Sequence, residues 1–259
     1  RVRVNDITCE NLLLRTPNST VKDFFAMRYE HFREFKKFLN GVKLEAKLND
    51  TKFALKDLGY FVKNMEKVEH NVFNVSGKVK GAVSNIDGYN LRIYTSDNTQ
   101  FIGDFSTSGL PNVFETSLNV RVKKLTTTAA DVYRIYPFVK LPSNLSSLGL
   151  VSYSGTFDGF ITDFVSNGKL LTQIGSASTD VNFTYDRERN KSAYKGSLNL
   201  QQFDLGKYFN DEKNLGTVSL QTKIKGGGLT LESLHAELQG KVQEITLLSH
   251  SYKNIDLDG

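Results

Sequence analysis

Alternation of apolar and polar residues is the dominant pattern along this chain, and it is clearest between residues 151 and 185. Successive side chains of a β-strand point to opposite faces of the sheet, so a half-buried strand shows a period of two. One face of the strand predicted at residues 153–161 carries Tyr153, Gly155, Phe157, Gly159 and Ile161. The pattern therefore predicts antiparallel sheet with one apolar face.

The same alternation predicts strands through most of the chain. In order, they cover residues 2–14, 42–55, 72–83, 91–95, 101–107, 118–122, 153–161, 170–174, 181–185, 194–200, 218–224, 229–231, 236–242 and 245–247. The stretch 24–39 is ambiguous, because Phe32, Phe35 and Leu39 are spaced three and four apart. There we predict a strand followed by a loop.

Two dipeptides indicate hairpin turns between strands. Asn167-Gly168 is a strong signal for a two-residue turn, because both positions of a type I′ turn need positive φ. Asp87-Gly88 holds a corresponding place earlier in the chain. We therefore predict that a new strand begins after each of these dipeptides.

The glycine-spaced strand recurs, which indicates a repeat protein. Gly77 and Gly81 reproduce the spacing of Gly155 and Gly159, and a degenerate third copy of this glycine pattern ends at Gly226. We interpret the first four glycines as positions that widen a groove; a bulge or a close strand approach is the alternative.

A second recurring motif is an aspartate with apolar residues at the first and fourth positions after it. This spacing is typical of a short helix capped by the aspartate. It occurs at Asp57, Asp131 and Asp204, which we predict to be helix caps. The predicted units are 1–56, 57–130, 131–203 and a truncated 204–259. Together they form one elongated segment of a longer protein.

Composition narrows the function classes. Hydrophobic residues make up only 39% of the chain, enough for one face of many strands but not for both. The net charge of +5 is scattered, with its densest runs at residues 33–37 and 121–124. It fits a solvated outer face, with anionic lipid headgroups as the alternative. No basic helix or aromatic stacking platform accompanies it, so we expect no nucleic acid partner.

Candidate catalytic chemistry is sparse in this sequence. The four histidines show no metal-ligand spacing, and no nucleophile elbow is present, so we expect no metal, no cofactor and no enzyme activity. Asp158 and Asp163 leave glycoside cleavage as an alternative, since paired carboxylates perform it. The triple glycine at residues 226–228 is not followed by the lysine and the helix that a phosphate-binding loop needs. We therefore predict a glycine hairpin there. Cys9 has no partner for a disulfide within the chain.

Several short motifs together resemble the TamB and AsmA-like family of Gram-negative bacteria, in the branch associated with the translocation and assembly module. The resemblance covers roughly residues 40–259. It rests on Asp131-x-x-x-x-Tyr136-Pro137, Leu141-Pro142, Leu148-Gly149, Tyr153-Ser-Gly-x-Phe-x-Gly159, Asp163-Phe164, the hairpin 168–175, Tyr194-x-Gly196, Phe203-Asp-Leu-Gly206 and Leu215-Gly216.

The resemblance implies a sheet folded into a half-pipe, called a β-taco, whose apolar interior conducts phospholipid toward the outer membrane. It also implies a periplasmic location, an inner-membrane anchor in a segment not present here, and an outer-membrane β-barrel partner contacted by other regions. A structural or adhesive β-solenoid is the alternative function, followed by a carbohydrate-active enzyme.

The predicted lining of the groove consists of apolar residues on the alternating face. These are Val75, Val79, Val83, Leu91, Ile93, Phe101, Phe105, Leu118, Val120, Val122, Tyr153, Phe157, Ile161, Val181, Phe183, Leu198, Leu200, Leu220 and Ile224. The expected ligand is a phospholipid or another lipid with acyl chains.

Overall fold

The computed structural model describes residues 1–58, 71–95, 98–135, 141–230 and 232–259. The chain divides into two compact units, Arg1–Lys124 with Asp131–Phe138, and Leu125–Ala130 with Val139–Gly259. Each unit consists of antiparallel strands, ordered in the sheet as in the sequence, with a few short helices. The predicted all-β antiparallel fold class is confirmed.

The first unit is a meander of seven strands, the last of which runs a few residues into the second unit. Its strands are β1 (Asp6–Arg15), β2 (Thr20–Arg28), β3 (Lys43–Ala54), β4 (Val72–Ala82), β5 (Asn85–Thr95), β6 (Gln100–Ser108) and β7 (Ser117–Thr127). The helical segments are the 3₁₀ helices Phe32–Lys37 and Val113–Glu115, α1 (Phe38–Gly41), α2 (Leu55–Leu58) and α3 (Ala129–Ile135).

The second unit is a meander with longer strands. They are β8 (Val151–Phe160), β9 (Asp163–Thr172), β10 (Gly175–Asp186), β11 (Lys191–Asp204), β12 (Leu215–Gly227), β13 (His235–Leu247) and β14 (His250–Asp258). The 3₁₀ helix Ser143–Leu148 precedes β8, and α4 (Leu205–Phe209) joins β11 to β12.

Both predicted glycine turns are wrong. Asp87-Gly88 lies inside β5 and Asn167-Gly168 lies inside β9, and none of the four residues has the positive φ that a type I′ turn needs. The strands turn instead at Val83-Ser84 and Ile161-Thr162. The two turns follow Gly81 and Gly159 at the same distance, so the two glycine-spaced strands end alike although the predicted turn was misplaced.

Strand register explains why Asn167-Gly168 stays extended. The alternation Phe164, Ser166, Gly168, Leu170 continues through the dipeptide, and Gly168 pairs with Gly155 of β8. A turn at Gly168 would remove half of this strand from the ladder. Long-range pairing therefore overrides the local turn preference.

Other predicted boundaries also shift. The strands at 236–242 and 245–247 are one strand, β13, and residues 229–230 form a bend instead of a strand. The predicted loop after β2 contains the 3₁₀ helix Phe32–Lys37 followed by α1, so the three-and-four spacing of the phenylalanines marked helical turns.

One of the three predicted helix caps is confirmed. Asp204 is the N-cap of α4, and its Oδ1 accepts the backbone N–H of Lys207 at 2.9 Å. The caps predicted at Asp57 and Asp131 are wrong, because each aspartate is the third residue of its helix, in α2 and α3 respectively. Apolar spacing after the aspartate located each helix but not its first residue.

Asp57 connects α2 to the β1–β2 turn through side-chain hydrogen bonds. Its carboxylate accepts hydrogen bonds from Thr16 Oγ1 at 2.6 Å, from Asn18 Nδ2 at 2.9 Å and from Ser19 Oγ. Hydrogen bonds from Asn18, Ser19 and Thr16 hold the pKa of the Asp57 carboxyl below its usual value. Asp131 is instead buried, with its carboxylate 3.5 Å from the Arg134 guanidinium.

Removing the Asp204 cap should destabilise the second unit modestly. An N-cap side chain satisfies a helix N–H that has no other partner, so Asp204→Ala should lower the free energy of unfolding by about 0.5–2 kcal/mol. Asp204→Asn keeps an acceptor oxygen and is the control. Urea denaturation checks both, and equal midpoints for Asp204→Ala and the parent would contradict the capping role.

The core of the second unit lies at one end of its strands. Its buried residues are Leu148, Ile174, Ala177, Leu200, Phe203, Val218, Leu220 and Val242. The 3₁₀ helix Ser143–Leu148 and α4 supply the cover through Leu145, Leu205 and Tyr208, whose ring meets that of Phe203 edge-on at 5.6 Å. The apolar face of the sheet is therefore closed by helices at this end.

Candidate functional site

Strand register aligns the apolar residues of the second unit into rows that cross β8 to β13. One row contains Phe157, Ser166, Val181, Gly196, Ile224 and Leu238, each opposite its neighbour in the next strand. A parallel row contains Tyr153, Leu170, Ala177, Leu200, Leu220 and Val242. No charged residue occupies either row, and the strand face that carries both is here called the apolar face. The second row lies largely in the helix-covered core, where Ala177, Leu200, Leu220 and Val242 are buried, whereas the row that begins at Phe157 is only partly buried.

Aromatic rings stack along the apolar face at the end of the strands away from the helices. The ring centroids of Phe157 and Phe164 are 4.4 Å apart, and those of Phe164 and Phe183 are 5.1 Å apart, both in stacked geometry. All three side chains are only partly buried. Since the second unit's described helices pack at the opposite end, this aromatic end of the face keeps access to solvent.

Tyr194 extends the aromatic end onto β11. It pairs with Phe183, and its hydroxyl donates to the backbone oxygen of Gly227 at 3.2 Å. Burial raises the pKa of Tyr194 above its ordinary value, because the phenolate would lose hydration there.

Gly155 does not widen a groove in the predicted way. Gly155 and Gly168 lie opposite each other, and a Cβ at Gly155 would approach Tyr153 Oη to 2.7 Å. The Tyr153 hydroxyl is 2.8 Å from Ser166 Oγ and donates to the carbonyl of Thr156 at 3.0 Å. The Tyr153 ring therefore fills the space that these glycines leave.

Gly81 and Gly159 serve the hairpins that follow them. Both have positive φ, 125° and 128°, and a Cβ at either would collide with the backbone of the next strand, near Asn85 and Asp163 respectively. The structure therefore shows a close approach of neighbouring strands at both positions, which was the alternative to a groove-widening role.

The first unit places its predicted lining on one face as well. Val75 pairs with Ile93, which pairs with Phe101, while Val79 and Phe105 both lie opposite Gly88. Leu91 is 1% exposed, and its side chain covers both Gly77 and Gly88. The predicted positions on β7 are Leu118, Val120 and Val122, all partly buried and alternating with exposed residues.

Two predicted lining residues lie elsewhere. Val83 and Ile161 are turn residues between strands, so they are not part of a strand face. Sequence reasoning also missed members of the apolar face, namely Phe164, Leu170, Tyr194, Leu238 and Val242. Phe164 and Leu170 were missed because the misplaced turn divided β9, although their alternation with polar residues is visible in the sequence.

The opposite face of the second unit, here called the polar face, is mostly polar, although Phe160, Val165 and Leu171 are exposed on it. Its residues line two open surface depressions, one bordered by Asp180, Asn182, Lys195, Lys223 and Glu237, the other by Ser154, Asn167, Lys169 and Asn199. Hydrated charges and amides do not favour a hydrocarbon ligand. The candidate site for an apolar ligand is therefore the apolar face, and not these depressions.

The polar face also carries the two carboxylates considered for glycoside cleavage. Asp158 of β8 and Asp163 of β9 are both exposed there. Across the described residues, no group of three or more histidine, cysteine, aspartate or glutamate side chains is placed to hold a metal ion. In the same residues, no helix combines the length and apolarity needed to cross a membrane.

Three comparisons with known proteins add no relative. The chain matches no protein-family model, no curated protein and no solved structure.

Proposed function

We propose that the apolar face binds the acyl chains of phospholipids and that the chain is a segment of a periplasmic lipid-transport protein of the TamB and AsmA-like kind. The observation that carries the proposal is the register of β8 to β13, which joins partly buried, uncharged residues of six strands into one continuous row beginning at Phe157. Such a face, uncharged and partly open, suits a long hydrocarbon ligand.

The dimensions of the face support a lipid ligand. Neighbouring strands lie about 4.8 Å apart, so β8 to β13 span roughly 24 Å. One acyl chain spans roughly 15 Å of a bilayer leaflet. A chain laid across the strands therefore stays within the rows, and burying about a dozen methylenes contributes on the order of 10 kcal/mol before the entropic cost of binding.

The direction of the rows also suits transport. They run across the strands, whereas the helices that close the core cover only one end of the strands. An acyl chain can therefore pass from strand to strand beside the aromatic end without crossing the helices. This geometry supports a conduit in preference to a single closed pocket.

Photo-crosslinking at neighbouring positions tests the proposal. A benzophenone amino acid replacing Phe183 would face the lipid, whereas the same residue replacing the exposed Asn182 would face solvent. We expect phospholipid adducts, identified by mass spectrometry after membrane isolation, only from position 183. Equal labelling at both positions, or none at 183 in folded protein, would favour the structural or adhesive β-solenoid.

A further inference from the structure

The link between β2 and β3 in the first unit presents aromatic and basic side chains together. It contains the 3₁₀ helix Phe32–Lys37 and α1, with the sequence Phe-Arg-Glu-Phe-Lys-Lys-Phe-Leu-Asn-Gly. In a 3₁₀ helix, residues three apart lie above one another. Phe32 and Phe35 therefore share one side, with Arg33 and Lys36 beside them.

A row of aromatic rings anchors this link to the sheet. Tyr29, at the end of β2, is 7% exposed, and its ring contacts Phe35 edge-on at 4.9 Å. The Phe35 ring in turn lies 5.0 Å from that of Phe32 and 6.0 Å from that of Phe38. The link is thus held in a defined orientation by its own aromatic side chains.

Despite this packing, the outermost ring faces water. Phe32 is 72% exposed, and Leu39 of α1 is 43% exposed. Val4 of the N-terminal segment is 91% exposed. It is held near Tyr29, because the Tyr29 hydroxyl donates to the carbonyl of Arg3 and the Tyr29 backbone N–H donates to the carbonyl of Asn5. Several large apolar side chains around Tyr29 are therefore exposed to solvent and are not packed under other described residues.

The positive charges of the link are not neutralised locally. Arg33, Lys36 and Lys37 are exposed, and no carboxylate of the described residues forms an ion pair with them. The carboxylate of Glu34 accepts the backbone N–H of Glu30 at 2.9 Å. These two glutamates are the acidic residues of the segment.

Two arginines near the link already have carboxylate partners. Arg28 pairs with Glu45 at 2.9 Å, and Arg3 lies 3.8 Å from Asp6. Three cations of the link thus remain for an external anion.

We infer that this link, Phe32–Leu39, docks the protein on the surface of an anionic phospholipid bilayer. Exposed aromatic and aliphatic side chains next to free lysine and arginine are what an interfacial membrane contact requires, because the rings enter the headgroup region while the cations meet lipid phosphates. The inference goes beyond the proposed acyl-chain site, since it concerns a different surface, in the first unit.

Vesicle flotation tests the inference with vesicles of phosphatidylcholine, with or without phosphatidylglycerol. We expect the protein to float with the anionic vesicles only, and binding to weaken as salt is added. Each basic residue near such a surface strengthens binding about fivefold, so Arg33→Gln/Lys36→Gln/Lys37→Gln should weaken it on the order of 100-fold. The matched control is Lys52→Gln/Lys78→Gln/Lys80→Gln, which removes three exposed charges from β3 and β4.

A second pair of variants separates ring insertion from charge attraction. Phe32→Ser should weaken binding about tenfold, whereas Leu13→Ser, at a residue of β1 that is 55% exposed, should change it little. Circular dichroism and protease resistance confirm that all variants remain folded.

Three results would overturn the inference: equal flotation with neutral and anionic vesicles, equal loss in the two charge triples, or no flotation by the parent protein. The last would point to an acidic protein partner instead. Crosslinking at position 183 is independent of this assay, so failure of one proposal leaves the other standing.

Discussion

Replacing Phe157 with aspartate should reduce the rate of phospholipid transfer between donor and acceptor vesicles on the order of 100-fold. A carboxylate placed among acyl chains faces several kcal/mol of desolvation, and each 1.4 kcal/mol is a tenfold change. Phe157 begins the row that crosses β8 to β13 and stacks on Phe164. Every lipid that follows the row would meet the charge, whereas static binding elsewhere on the face would weaken only in part.

The control for this prediction lies one residue away. Thr156 belongs to the same strand but is exposed on the polar face. Thr156→Asp should leave transfer within about twofold of the parent, because its carboxylate stays hydrated. If Phe157→Asp remained folded and transferred lipid at the parental rate, the apolar face would not be a lipid conduit.

Replacing Leu91 with alanine should produce the largest loss of stability in the first unit, about 2–5 kcal/mol of unfolding free energy. Leu91 is 1% exposed and covers the backbone of Gly77 and Gly88, which have no side chains of their own. The cavity left by the substitution cannot be filled by either glycine. Tyr89, two residues earlier and 46% exposed, provides the control, since Tyr89→Ala should cost about 0.5 kcal/mol or less.

A double-mutant cycle sharpens this test. A Cβ at Gly88 would collide with the side chains of Leu91 and Phe105, so Gly88→Ala alone should destabilise the fold. In the Leu91→Ala background the same methyl group enters vacated space, and its cost should fall. Urea denaturation of the four proteins measures the coupling, and strict additivity would show that Leu91 does not pack on Gly88.

The fold class could be predicted from the sequence because alternation is a local property. Val75, Val79, Phe157 and Phe183 lie on apolar strand faces as predicted, since each alternates with polar neighbours. The cap at Asp204 was predictable for the same reason, because an N-cap contacts a backbone group only three residues away.

The roles of Asp57 and Asp131 were not predictable in this way. Asp57 binds Thr16, Asn18 and Ser19, far away in the sequence, so its role depends on how β1, β2 and α2 come together. Asp131 is buried, which no local pattern revealed. Only the tertiary structure distinguishes a capping aspartate from one that bonds to another segment.

The amino-acid sequence by itself determined the β-strand class of the fold and the apolar character of one strand face, because these follow from side-chain chemistry at a period of two. The tertiary structure decided where the strands turn, which residues form rows, and which glycines are covered. Asn167-Gly168 shows the reason: its local preference is a turn, but pairing of Gly168 with Gly155 along β8 keeps it extended. Register is set by the sum of contacts along two strands, and one dipeptide does not outweigh that sum.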